Sequence, residues 1–415
     1  MRCVLGFCRK MCFFVFLWWI WRFLRKVLIF AYLCVTFNLA WKMKYILTAF
    51  LLCATFVCSW AQSPMDGGVW KDNNGVHINA HGGNIIFHKG LYYWYGEIRS
   101  DGGAVSSLGV SCYTSKNLTD WTDRGIVLPV SNEAGSDIEA GCIVERPKVV
   151  RNPKTGKFVM WFHLELKGRG YAAARYGVAA ADNPLGPFRF VRSGRVNPGL
   201  YPIGFSLPDT TDLKHQMLFE ELKTWWTPEW RTQVERGMFF QRDVKGGQMS
   251  RDMTLFIDDD GKAYHIYSSE ENLTIQIAQL TDDYMEHNGS FVRVAPGGQN
   301  EAPAIFKKDG VYWMITSGCT GWAPNAARMF TAKNIFGPWR QLPNPCRGEG
   351  AEKTFGAQGT YIYRLETPAL RKAFGAEYIF MADIWNPKRL NDSRHLWLPI
   401  AFENGQPVLR RVSGR

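Results

Sequence analysis

Three carboxylates stand at the same place in three similar stretches of the chain. Glu145 opens ERPKVVRNPKTGKFVMWFH, Asp252 stands near the start of RDMTLFIDDDGKAYHIYSSE, and Glu301 opens EAPAIFKKDGVYWMITSG. Each leads an apolar run that reads as a buried strand, where an isolated charge would be costly. Carboxyls gathered in one pocket repel, so at least one holds its proton to unusually high pH. A protonated carboxylic acid beside ionised ones is what cleavage of a glycosidic bond needs. The plainer alternative is that these groups only seal a polar channel with hydrogen bonds.

The elements that would position them repeat. HGGNIIFHKGLYYWYGE from His81 and AQGTYIYRL…FGAEYIFMADIW, which holds Gln358, have the same form: polar head, apolar strand, Gly turn, aromatic strand. The turn glycines are Gly90, Gly156, Gly261, Gly310 and Gly375. The strands after them are rich in Tyr, Phe, Trp, Ile and Met, as β propensity favours. Each copy continues into a second strand–turn–strand half, such as YGVAAADNPLGPFRFV and ARMFTAKNIFGPWRQL. Five units of about four strands predict an all-β fold, a five-bladed β-propeller. The alternative, a two-sheet sandwich of hairpins, does not explain why the whole unit recurs. In a propeller the first strand of every blade lines the axis. His81, Glu145, Asp252, Glu301 and Gln358 should then converge at one mouth of the channel.

Between the second and third copies, residues 198–248 are extra. DLKHQMLFEELKTWWTPEWRTQVERGMFF has helical periodicity, with Pro228 interrupting it. This predicts a helical insertion between blades two and three. Trp225, Trp226 and Trp230 would glue it to the propeller or stack on sugars.

The chain has 415 residues, 46% hydrophobic and 14% aromatic, enough for a large core. Its net charge of +12 is misleading, because residues 1–61 hold eight Lys and Arg and no acid. The remaining +4 implies no nucleic-acid partner. Residues 43–61 read as a signal peptide: Met43-Lys44, an apolar run, then Ser59-Trp60-Ala61. Residues 1–42 then read as a start called too far upstream. The expected mature chain, 62–415, is an exported monomer, periplasmic or extracellular, with no stable membrane insertion. Of ten cysteines, only Cys112, Cys142, Cys319 and Cys346 lie outside the leader, and their spacing selects no pairing. No cofactor is required. The metal question stays open: a structural cation in the channel would look to His81, His265 and His395.

VERPKVV, SRDMTLFIDDDG, NEAPAIF, TGWAPN and SRHLWLPI, in this order, resemble glycoside hydrolase family 43. AHGG and YWYGE make the chain similar to that family's exo-β-1,3-galactanase branch. The resemblance runs from about Val69 to the C-terminus, except the insertion. It implies an inverting hydrolase releasing galactose from a poly- or oligosaccharide, β-1,3-galactan of the arabinogalactan type. It implies Glu301 as the general acid. Most of the family has a general-base Asp at the head of blade one, where this sequence has Ala80-His81-Gly82. The branch similarly lacks it and uses a Gln to hold the water, here Gln358, with Glu145 nearby. Whether Glu145 or an imidic form of Gln358 takes the proton stays open. The branch's galactose contacts fall on Glu97, Tyr171 and Asp252, with Thr320, Trp322 and Asn325 on the next loop. Asp252 could equally tune the acid. Two other functions remain: an α-L-arabinofuranosidase or β-xylosidase on the same fold, and a non-catalytic glycan-binding propeller.

Overall fold

The computed structural model describes Arg22, residues 24–26, 65–205 and 228–411, with the side chains of 228–230 excepted. The signal-peptide reading of 43–61, the mis-called start, Trp225 and Trp226 lie outside the described residues, as does the side chain of Trp230. Among the described residues no helix is long and apolar enough to cross a membrane.

Five sheets form in chain order. Blade one is β1 (His81–His88), β2 (Leu91–Arg99), β3 (Ser107–Ser115) and β4 (Thr122–Pro129). Blade two is β5 (Ile143–Arg151), β6 (Phe158–Glu165), β7 (Arg175–Ala181) and β8 (Arg189–Gly194). The helices α1 (Pro228–Glu235) and α2 (Met238–Val244) follow. Blade three is β9 (Met253–Ile257), β10 (Ala263–Ser269), β11 (Thr274–Leu280) and β12 (His287–Val294). Blade four is β13 (Glu301–Lys308), β14 (Val311–Ser317), β15 (Arg328–Ala332) and β16 (Arg340–Leu342). Blade five departs from the four-strand expectation. Its order is β17 (Cys346–Arg347), β21 (Gln406–Arg410), β20 (Arg394–Glu403), β19 (Tyr378–Ile384) and β18 (Gln358–Arg364). Its first hairpin is also not a tight turn. The helix α3 (Pro368–Phe374) fills it, and Gly375, at φ 68°, is that helix's left-handed cap.

The first strands β1, β5, β9, β13 and β18 pack side by side into a closed ring. The N-terminal segment zips the ring shut: Gly67 N donates to His395 O (2.9 Å) and Trp397 N to Met65 O (2.7 Å) on blade five. Each blade-to-blade interface has its own buried cluster, because every sheet is apolar on both faces. Tyr95, Phe162 and Met160 fill the one between blades one and two, and Ile266, Met314 and Phe330 that between three and four. Between five and one, Trp70, Trp94, Trp121 and Trp397 interlock, with Trp70 and Trp397 centroids 4.8 Å apart. Among the described residues, most aromatic side chains therefore serve blade packing. Of the expected helical insertion the described residues include α1 and α2, and Pro228 stands at the start of α1. A proline costs nothing at a first turn whose N–H groups have no partner in the helix. Phe240 of α2 is buried in the cluster of blades two and three.

Cys112, Cys142, Cys319 and Cys346 are all unpaired, and Cys112 and Cys142 serve as small apolar side chains of one interface.

Candidate active site

The ring ends in bulges. The β1–β2 register shifts between His81 and Asn84, β5–β6 between Glu145 and Lys148, and β13–β14 between Glu301 and Ala304. The residue after each head is left-handed: Gly82 (φ 62°), Arg146 (φ 54°) and Ala302 (φ 49°). A bulge re-aims the side chain before it, and left-handed Arg and Ala are strained conformations that cluster at functional sites. At Gly82 the approach is tight. A Cβ there would lie 2.9 Å from Glu97 Oε1 and 3.2 Å from Arg146 N, so glycine lets blades one and two meet.

A cavity of about 320 Å³ opens at these heads. Glu145, Asp252, Glu301 and Gln358 line it together, with Glu97, Tyr171 and Trp322 from the expected set. His81 does not join them. It is fully buried, its Nδ1 meets Asp383 Oδ1 at 3.2 Å, and its ring stacks on His395 at 4.6 Å. Asp383 also accepts from His395 Nδ1 (2.9 Å) and Gly82 N (2.7 Å), and a buried carboxylate needs all of these partners. So four heads, not five, form the site, and His81 joins the support of blade five. Thr320 does not line this cavity, and Asn325 lines a smaller one beside it that shares Gly321, Trp322, Gln358 and Trp385. Thr320 Oγ1 donates to Ala323 O (2.6 Å), and Asn325 Nδ2 donates to Thr320 Oγ1 (2.7 Å), which shapes the loop that presents Trp322. Trp322 is 41% exposed and meets Trp385 edge-on at 5.6 Å.

Glu145 is held by three neighbours. Oε1 accepts from Arg99 Nη2 (3.2 Å) and Tyr171 OH (2.9 Å), and His163 Nδ1 lies 3.2 Å from Oε2. Burial alone would raise its pKa, but His163 and Arg99 outweigh burial and hold it well below the usual carboxylate range. His163 in turn meets Glu165 at 2.9 Å, and Glu165 accepts from Ala173 N and Ala174 N. Burial opposes the charge on His163, yet its two carboxylate partners push it up to about 9. Glu97 goes the other way: burial lifts it to about 7 despite the Arg99 guanidinium.

Glu301 is the carboxyl raised furthest in the cavity. Burial, then the neighbouring Asp252 charge, push it up to about 8, against Arg146 and Arg251. Asn272 Nδ2 donates to its Oε1 at 2.7 Å and orients the group. Arg146 joins three blades: it donates to Asp252 Oδ2 (2.9 Å), to Gln358 Oε1 and to Gly359 O (2.9 Å). The buried Lys148, its pKa driven down by desolvation, bonds Gly82 O and Arg146 O and so pins two bulges.

Because Asp252 raises Glu301, Asp252→Asn should lower the acid's pKa. The alkaline limb of a kcat/KM–pH profile would then move below its wild-type position near pH 8. A limb that stays or rises would break the link between the two carboxyls. Arg146, His163, Arg251, Asn272, Gly321 and Trp385 complete the cavity wall, and strand periodicity did not single them out for roles. His163 had a signal: it is the cross-strand partner of Glu145.

Among the described residues, two clusters could hold a cation: His81, Asp383 and His395, and Glu145, His163 and Asp252. His265 belongs to neither, and its Nδ1 lies 3.1 Å from His287 Nε2.

Carboxyls gathered at the mouth of a five-bladed propeller, one keeping its proton near neutrality, define the class of protein: a glycosidase. Comparison with known proteins gives the particular family. The family model "Glycosyl hydrolases family 43" matches residues 230–359. A GH43 β-1,3-galactosidase solved with galactodeoxynojirimycin is 58% identical, over 84% of this chain and 98% of that one, with a TM-score of 0.77. An exo-β-1,3-galactanase from Clostridium thermocellum is 33% identical, over 83% of this chain and 64% of that one, with a TM-score of 0.65. One from Phanerochaete chrysosporium, solved with galactose, is 31% identical over 83% and 66%, with a TM-score of 0.63. A curated relative, the β-D-galactofuranosidase xynD of Aspergillus niger, is 26% identical over 23% of this chain and 28% of its own length. The chain belongs to glycoside hydrolase family 43.

Proposed function

We propose that the protein is an inverting exo-β-1,3-galactanase that releases galactose from the non-reducing end of β-1,3-galactan. The observation that carries this is Glu301, a carboxyl poised near pH 8, in one cavity with Gln358 and the ionised Glu145. Glu301 gives its proton to the leaving glycosidic oxygen. Gln358 holds the attacking water on the opposite face of the ring, and Glu145, held well below the usual carboxylate range by His163 and Arg99, is a fixed negative charge and a weak base. Glu97, Tyr171 and Asp252 would take galactose hydroxyls, and Trp322 would stack on the apolar face of a galactose ring. The names of the similar structures support galactan as the substrate, and the signal-like segment 43–61 supports an exported site of action.

The test is a substrate panel. Purified protein should release galactose as the first product from β-1,3-galactan and show little action on aryl α-L-arabinofuranosides or β-xylosides. Faster cleavage of the arabinofuranosides or xylosides would replace the proposed sugar. Saturable binding of galacto-oligosaccharide with no product would make the protein a glycan-binding propeller instead.

A further inference from the structure

The amide of Gln358 is held by more than a water-binding role requires. Its Oε1 accepts from Arg146 Nη2 and from Trp385 Nε1 (2.9 Å), and its Nε2 donates to Ser317 Oγ at 3.0 Å. A carbonyl oxygen has two lone pairs, and both are taken. Turning the amide over would point its NH2 at two N–H donors, so its orientation is fixed by its neighbours. A water molecule therefore meets this amide at Nε2, the one atom with a hydrogen to spare.

From this we infer that Arg146 is a positioning residue of the reaction, which makes Gln358 Nε2 the proton acceptor by holding negative charge on Oε1. This rests on the reading that Gln358 serves the attacking water. A guanidinium and an indole N–H on the oxygen draw density from nitrogen to oxygen and make the remaining Nε2–H more acidic. Loss of that proton to cavity water leaves an imidate, with its charge on Oε1 against the Arg146 guanidinium and a lone pair on Nε2. As the water oxygen bonds to the anomeric carbon, its proton goes to Nε2 and the neutral amide returns. The bond from that carbon to the leaving oxygen breaks, and Glu301 protonates that oxygen. One proton leaves Gln358 for solvent and one returns from solvent to Glu301 in each turnover, so the cycle balances.

The surroundings of Arg146 suit this work. The residue is 4% exposed, on a strained left-handed backbone at the β5 bulge. Its other partners, Asp252 Oδ2 and Gly359 O, hold the guanidinium plane. The Trp385 ring lies 5.5 Å from its Cζ, so the two donors to Oε1 also support each other. A lysine has the charge but not the planar fork that reaches two blades at once.

The experiment uses the full-length protein and β-1,3-galactobiose. Arg146→Ala should lower kcat by about 10²–10³-fold, the scale for removing one donor that stabilises developing charge, with KM changed far less. Millimolar guanidinium should restore part of kcat in Arg146→Ala and none in Gln358→Ala. The alkaline limb of Arg146→Ala should rise, because a positive neighbour of Glu301 is gone. If Arg146→Ala does not fold, Arg146→Lys should still lose kcat while keeping the wild-type limb. Wild-type kcat in either variant, a loss confined to KM, or no guanidinium rescue of folded Arg146→Ala would overturn the inference. Activity retained by Gln358→Ala would instead bring down the reading beneath it. An inactive Gln358→Ala whose loss multiplies with that of Arg146→Ala would overturn the inference alone.

Discussion

Glu301→Gln should lower kcat by about 10²–10⁴-fold, the range that a positioned general acid supplies, and leave galacto-oligosaccharide binding nearly intact. The substitution keeps the size of the side chain and its place at the head of β13. The oxygen that accepts from Asn272 also survives, so the cavity should keep its shape. Only the proton is lost. The carboxyl of Glu301 is pushed up to about 8 mainly by burial, so at pH 7 the wild-type acid is loaded and the amide never is. Substrates with activated aryl leaving groups need less protonation, so they should lose less rate than galactobiose. Rates on galactobiose and on an aryl β-galactoside, with binding measured by calorimetry, separate these effects. An active Glu301→Gln would remove Glu301 as the acid.

Glu145→Ala should damage the fold as well as the rate. Its carboxylate lies between Arg99 and His163, all three buried, and truncation removes the anion that both share, leaving Arg99 with Glu97 alone and His163 with Glu165 alone. Removing one partner of a buried pair typically costs about 3–5 kcal/mol, which a shift in the urea midpoint would show. The pH dependence follows from the same contacts. Glu145 has a depressed folded pKa, so its contribution is present above the unfolded value and is lost as pH falls through the folded one. His163 is raised from 6.5 to about 9, so its contribution is full below pH 6.5 and is lost as pH rises to about 9. Wild-type stability should therefore decline between pH 6.5 and 9, and the decline should be much smaller in Glu145→Ala. An unchanged midpoint would mean the triad is not load-sharing and Glu145 is free for other chemistry.

The repeat made the propeller legible, because a blade cannot bury both faces without neighbours and so must recur. The polar heads of the first strands made most of the site legible for the same reason: only the axis is wet. His81 went elsewhere because its pattern cannot show that Asp383, far away in sequence, needs a donor. The supporting residues were hidden for a different reason. His163, Ser317 and Asp383 are the cross-strand partners of Glu145, Glu301 and Gln358, whereas Glu97, the partner of His81, was reached through the family resemblance alone. A polar residue near the end of each second strand was visible, but pairing it with a head requires the register that the bulges set. Arg146 was least legible of all. It follows Glu145 directly, and simple strand alternation would send it to the opposite face. The left-handed turn at the bulge brings both side chains into one cavity.

The central claim is single displacement by water at a β-linked galactose, with Glu301 as the acid. It is tested most directly by proton NMR of the first minutes of β-1,3-galactobiose hydrolysis, before mutarotation equilibrates the sugar. The account predicts that α-galactose accumulates first and the β anomer appears only later. β-Galactose as the first product would mean retention, with a covalent intermediate that this arrangement of Glu301 and Gln358 does not provide, and would contradict it.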